Sequence, residues 1–137
     1  MSKLKVTYDG TQHCTALQSV TGKRVSSDAC ASAGGKGQEL SPGELVAAGL
    51  ASCMLFSMGV LALRDGLDIS GTEVDVDVEI GEDRLHAIEL TFEMPRQFMT
   101  SDRSKLEAAA GACPIKRSFL PEVRVAADFK YPKHATA

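Results

Sequence analysis

The sequence contains no tryptophan, and aromatic residues of every kind make up only 5% of its 137 residues. Stacking platforms for single-stranded nucleic acid are therefore scarce. It also lacks a basic excess: fifteen Lys and Arg stand against eighteen Asp and Glu, a formal net charge of -3. Domains that coat themselves in nucleic acid usually carry the opposite balance, so nucleic acid is not an expected partner. No CxxC pair occurs, and only His13 and Cys14 stand side by side, which leaves no ligand spacing for structural zinc. The glycine-rich stretch from Ser32 to Gln38 has no terminal Lys-Ser/Thr pair and so reads as a surface loop, not a phosphate cradle. The start has no apolar signal core, since Lys3 and Lys5 alternate with Leu4, Val6 and Tyr8; a cytoplasmic location is expected. Four cysteines, Cys14, Cys30, Cys53 and Cys113, are too few for the disulfide framework of a small secreted chain.

What the sequence does have is the make-up of a folded globular chain, 44% hydrophobic and 24% charged, with a length that suits one domain over residues 1–137. Strands are expected at residues 3–8, from Thr11 to about Val20, and from Val25 to about Ala29, with turns at Asp9-Gly10 and Gly22-Lys23. Strict alternation of Val74, Val76, Val78 and Ile80 with acidic residues, then of Ile88, Leu90, Phe92 and Met94 with polar ones, predicts an antiparallel hairpin around Gly81-Glu82-Asp83. A second helix begins near Ser101, with Leu106, Ala109, Ala110 and Cys113 on its buried side. Cys113-Pro114 has the form of an N-cap and N1 pair opening a short helical piece through Phe119. Val123, Val125, Ala127 and Phe129 alternate as a last strand, and residues 130–137, with a surface His134, read as a frayed tail.

The strongest local signal is a long helix. Ser41 can cap it, Pro42 suits its first position, and Glu44 completes a capping box. Arg64, Asp65 and Gly66 stop it. Leu45 to Leu63 holds no charged residue, nineteen positions in all. That length raises a membrane span, but no basic cluster flanks it and the remaining segments need a core, so no membrane partner is expected. The preferred reading is a central helix buried on nearly every side. The element order gives an α+β fold, a mostly antiparallel curved sheet wrapped around this helix. One small sheet covers one face only, so a second copy of the chain is expected to cover the rest, as an obligate homodimer.

Two cysteines carry candidate chemistry. Cys53 lies within the apolar helix, where cysteine often only fills space. Cys113 stands where one helix ends and another starts, with the amides of Ile115 and Lys116 and the charges of Lys116 and Arg117 close in sequence, an arrangement that favours a thiolate. Cys14 and Cys30 read as incidental. Spacing alone does not show that Cys53 and Cys113 meet.

The run from Ser41 to Met54 (Ser-Pro-Gly-Glu-Leu-Val-Ala-Ala-Gly-Leu-Ala-Ser-Cys-Met), followed sixty residues after Cys53 by Cys113-Pro114-Ile115, resembles the OsmC/Ohr family of osmotically inducible and organic-hydroperoxide-resistance proteins, in its OsmC-like branch. The resemblance spans nearly the whole chain in element order. It implies an intertwined homodimer with two sites at the subunit interface. It also implies thiol-dependent reduction of organic hydroperoxides, with Cys53 matching the peroxidatic cysteine, Cys113 the resolving one, and an external dithiol as reductant. No cofactor and no metal are implied. A guanidinium from the N-terminal strands and a glutamate at the helix start compensate the thiolate in such proteins, which points to Arg24 and Glu44. The enzyme branch carries its acid directly after the proline, where this chain has Gly43; Glu44 follows one position later, and its capping role is a full alternative. The competing function is a non-enzymatic dimer that binds an apolar ligand or senses redox state.

Overall fold

The computed structural model describes residues 3–133. His134, read from the sequence as a surface residue, lies outside them. Two compact units divide the chain, one ending at Val46 and the other beginning at Ala47.

The first unit is an antiparallel three-stranded sheet, β1 (Leu4–Tyr8), β2 (His13–Gln18) and β3 (Arg24–Asp28), in that spatial order. Tyr8 pairs with Cys14 across β1 and β2, and Leu17 with Arg24 across β2 and β3. Leu4, Val6, Tyr8 and Val25 are exposed; Asp28 is the buried residue among those described here. Its carboxylate accepts hydrogen bonds from the amides of Gln38 and Glu39, at 2.9 and 3.0 Å, and so ties the glycine loop back to the sheet. Within that loop Ala31–Ala33 forms a single 3-10 turn. Gly35 is required there: a Cβ would lie 1.5 Å from the carbonyl oxygen of Ala29.

The long helix, α1 (Pro42–Asp65), begins with the expected capping box. The Glu44 carboxylate accepts from the Ser41 amide at 2.9 Å, and the Glu44 amide donates to Ser41 Oγ at 3.2 Å. These bonds satisfy two of the helix's orphan donors. Gly66 ends it with φ of 68°, the left-handed position that needs no Cβ.

The second unit holds β4 (Glu73–Ile80), β5 (Leu85–Glu93), α2 (Thr100–Gly111), α3 (Pro114–Arg117) and β6 (Arg124–Lys130). β4 and β5 form the predicted hairpin, with an irregularity at Glu79/Ile80. A helical stripe of α1, Ala47, Leu50, Ala51, Met54, Met58, Leu61 and Ala62, packs into one core with Ile88, Leu90, Phe92, Leu106, Ala110 and Cys113. Phe92 stacks on Phe129 with ring centroids 4.6 Å apart.

Three expectations are corrected. The strands do not form one curved, mainly antiparallel sheet around the helix. They form two separate three-stranded sheets, and β6 runs parallel to β5. The physical reason is the connection: α2 and α3 carry the chain back across the sheet, and such a crossover delivers a parallel strand. The helix is not buried on nearly every side. It is long and apolar enough to cross a bilayer by length and composition, yet a third of its most apolar window is buried, and Phe56, Val60 and Leu63 are exposed. The single chain leaves these residues exposed, and nothing in its structure shows an intertwined homodimer. The tail is not frayed from residue 130. Lys130 ends β6, and the Tyr131 hydroxyl donates to Glu107 at 3.0 Å while the Arg103 guanidinium lies 4.2 Å from the Tyr131 ring centroid.

Candidate functional site

α1 and the α2–α3 junction carry the two cysteines, and the fold brings them together. Cys53 sits in the middle of α1, half-buried against the core. Cys113 is fully buried and stands at the N-cap position of α3, with Pro114 at N1, as its sequence position implies. Cys113 is at this junction because Pro114 cannot continue the α2 ladder and instead starts a new helical turn.

The surroundings of Cys113 set its protonation. Burial pushes its thiol pKa up, and hydrogen bonding and charge at the adjacent Cys53 push it further the same way. The amides of Lys116 and Ile115 act in the opposite direction, although neither forms a full capping hydrogen bond to the sulfur. Cys113 therefore keeps its proton in the resting state and faces its partner as a thiol. Two neighbouring free thiols, one partly accessible and one buried, have the arrangement of a thiol-based redox centre.

The other candidates lie in the first unit. Arg24 opens β3 opposite Leu17 and is exposed. Glu44 occupies the α1 cap, where the hydrogen bonds of Ser41 hold its carboxyl below the usual range. Cys14 is half-buried in β2. Cys30 is exposed at the head of the 3-10 turn, and the Ser32 hydroxyl, 3.1 Å from its sulfur, and then the Ala33 amide lower its pKa. No sequence pattern had distinguished it from Cys14. Among the described residues no group of three His, Cys, Asp or Glu side chains suits a metal ion.

One feature of the second unit was not visible in the sequence. A groove of about 370 Å³ runs between α1 and α2, lined by Ser57, Val60, Leu61, Arg64, Ala109 and Ala112. Ser57 follows Cys53 by one helical turn and Ala112 precedes Cys113, so each wall leads to one member of the thiol pair. The small residues were legible; their placement opposite one another was not.

Comparison with known proteins gives a consistent assignment. The family model described as OsmC-like protein matches residues 35–128, more than half of the chain. A solved structure from Psychrobacter arcticus, named for an osmotic stress induced and detoxification response, is 27% identical with a TM-score of 0.90, covering 95% of this chain and 96% of that one. An OsmC-like protein of Mycoplasma pneumoniae is 14% identical with a TM-score of 0.81, covering 96% of each chain. The organic hydroperoxide resistance protein OhrB of Bacillus subtilis is 19% identical with a TM-score of 0.68, covering 95% of this chain and 98% of that one. These last two speak to the fold alone. No curated protein matches the sequence. With its matched segment spanning the capped helix, both cysteines and all but the end of the last strand, the chain belongs to the OsmC family.

Proposed function

We propose that this protein is a thiol-dependent peroxidase that reduces organic hydroperoxides to alcohols in the cytoplasm. The observation that carries the reading is the direct interaction of Cys53 with Cys113 across sixty residues of sequence. The family assignment supports it, as do fold relatives named for organic hydroperoxide resistance, such as that of Bacillus subtilis.

In this reading the Cys53 thiolate attacks the terminal oxygen of ROOH. The O–O bond breaks, the alkoxide takes a proton and leaves as ROH, and Cys53 becomes a sulfenic acid. Cys113 gives up its proton and attacks the Cys53 sulfur. The S–O bond breaks and the oxygen leaves as water. The resulting disulfide is reduced by an external dithiol through exchange, which restores both thiols. One peroxide thus consumes two electrons from one dithiol, and no cofactor takes part. Cys53 is the half-buried member and the natural point of attack; Cys113, buried and protonated, is suited to wait for the sulfenic acid.

Arg24 and Glu44 are proposed as the charged residues of this reaction, Arg24 by its positive charge and Glu44 by orienting it. A sensor that oxidises once without turnover is the second reading. It is favoured by the commitment of Glu44 to the Ser41 amide, which accounts for that residue without catalysis.

The test is consumption of cumene hydroperoxide with dithiothreitol by the natural chain, Cys53→Ser and Cys113→Ser. Turnover that disappears in Cys53→Ser is expected. A reduced natural protein no faster than dithiothreitol alone would refute the enzyme and leave the sensor.

A further inference from the structure

The connection from α3 to β6, residues 118–123, is anchored differently at its two ends. At one end stands Cys113, fully buried at the N-cap position of α3. At the other, Arg84 Nη1 donates to the Glu122 carbonyl oxygen at 3.2 Å, and the Asp83 carboxylate lies 3.7 Å from Arg84 Nε. Between these ends the bonds are local. Ser118 Oγ donates to the Pro114 carbonyl at 2.9 Å, and the Val123 amide donates to the Leu120 carbonyl at 3.0 Å. Phe119 is half-buried against the core, whereas Leu120 is exposed. An open cleft of about 530 Å³ separates this segment from the start of β5, lined by Arg84, Leu85 and residues 118–123.

The two sulfurs of the thiol pair have unequal freedom. Cys53 sits in a helix of 24 residues, between Leu50 and Met54, which have no exposed surface. Cys113 belongs to a junction, and the helix after it has only four residues, too few to hold their shape unaided. An S–S bond is much shorter than a thiol–thiol contact and narrows the separation of the two Cβ atoms. Forming it therefore moves Cys113 and leaves α1 in place. Pro114 and Pro121 hold φ at nearly one value, so they pass the pull along the segment. A close-packed neighbour would resist the movement; the open cleft does not.

We propose that the α3–β6 connection is a redox-driven strap, latched by Arg84 in the dithiol state and pulled off that latch when Cys113 bonds to Cys53. The proposal rests on the peroxidase reading and adds to it a control of access. The oxidation is the one already described: a hydroperoxide takes two electrons and two protons from the two thiols, the S–S bond forms, and the alcohol and one water leave. Reduction then needs a thiolate to reach a sulfur of the new disulfide. Cys113 has no exposed surface in the dithiol state. Release of the strap opens the α3 side of the pair to the external dithiol when there is a bond to reduce, and relatching covers Cys113 again afterwards.

The test is limited trypsin digestion, read by mass spectrometry, of the dithiol protein and of the protein oxidised by one equivalent of cumene hydroperoxide, both freed of small molecules. Lys116 and Arg117 report on α3, and Lys105, within α2, is the reference. Oxidation is expected to speed cleavage after Lys116 and Arg117 about fivefold, the population change from losing one net hydrogen bond. Cleavage after Lys105 should hold. Arg84→Met keeps an apolar stem in the cleft and removes the latch, so its dithiol form should already be cut like the oxidised natural chain. Cys113→Ser cannot bond to Cys53 and should show no rise. A natural chain that holds the Cys53–Cys113 bond in its peptide map, yet is cut at Lys116 and Arg117 no faster or only in step with Lys105, would overturn the strap and keep the thiol pair. That comparison needs no variant to fold. A folded Arg84→Met digested like the natural dithiol protein would overturn the latch, and with it the proposal. Failure of the bond to form would overturn both the strap and the peroxidase reading.

Discussion

Oxidation by one equivalent of cumene hydroperoxide tests the thiol pair without relying on catalytic rate. All four cysteines are free. If Cys53 and Cys113 are the reacting pair, a denaturing thiol titration falls from four to two, and the bond joins Cys53 to Cys113 in a peptide map. The new crosslink closes a loop of about sixty residues, which in the chain-entropy model corresponds to about 4 kcal/mol lost from the unfolded ensemble. A chain of this length has an unfolding entropy that converts each kcal/mol into about 3–4 °C. The oxidised protein is therefore expected to melt about 10–15 °C above the reduced one, measured by calorimetry at equal concentration and pH. Cys113→Ser should show a different pattern: three thiols falling to two, a sulfenic acid at Cys53 that a dimedone probe traps, and no such rise in melting temperature. A bridge involving Cys14 or Cys30, or an oxidised form that melts no higher than the reduced one, would refute the reasoning.

Glu44→Gln separates the two roles of Glu44, because glutamine also serves in a capping box: an unchanged melting temperature with lost peroxide turnover would establish the charge's role, whereas unchanged turnover would reduce Glu44 to a cap. Native Cys113 holds its proton more tightly than the unfolded chain does, so its contribution to stability is present below the ordinary thiol pKa and declines as pH rises past it, by up to about 1.4 kcal/mol per pH unit. Urea melts of the reduced protein from pH 7 to 10 should show this decline, and Cys113→Ala should flatten it. Brief treatment with a thiol-alkylating agent at neutral pH should label the exposed, lowered-pKa Cys30 first and the buried Cys113 last; mass mapping that finds Cys113 first would contradict the structure. Phe92→Ala, at the centre of the core and stacked on Phe129, should cost about 3–5 kcal/mol in denaturant unfolding.

Much of the fold was legible because its signals are local. The Ser41–Glu44 capping box, the Gly66 stop, the alternation through β4 and β5 and the Cys113-Pro114 restart depend on residues within one or two turns of each other, where backbone geometry and hydrogen bonding decide the outcome. The parallel pairing of β6, the separation of the strands into two sheets and the exposure of Phe56, Val60 and Leu63 were not legible. An alternating strand has the same pattern in either direction, and an uncharged helix does not say which side meets the core.

The candidate site divides in the same way. By itself the sequence determined which residues have the chemistry: two cysteines, one within an apolar helix and one at a proline restart, with Arg24 and Glu44 as charged candidates. Only the tertiary structure decided that Cys53 and Cys113 are neighbours, that burial and their mutual interaction keep Cys113 protonated, and that Ser57 and Arg64 share a groove with Ala109 and Ala112. Such contacts join residues far apart in the chain, Cys53 and Cys113 by sixty positions, and the sequence records no preference for one distant partner over another. They follow from the packing of α1 against α2, which places a thiol, an apolar wall and a cation along one line.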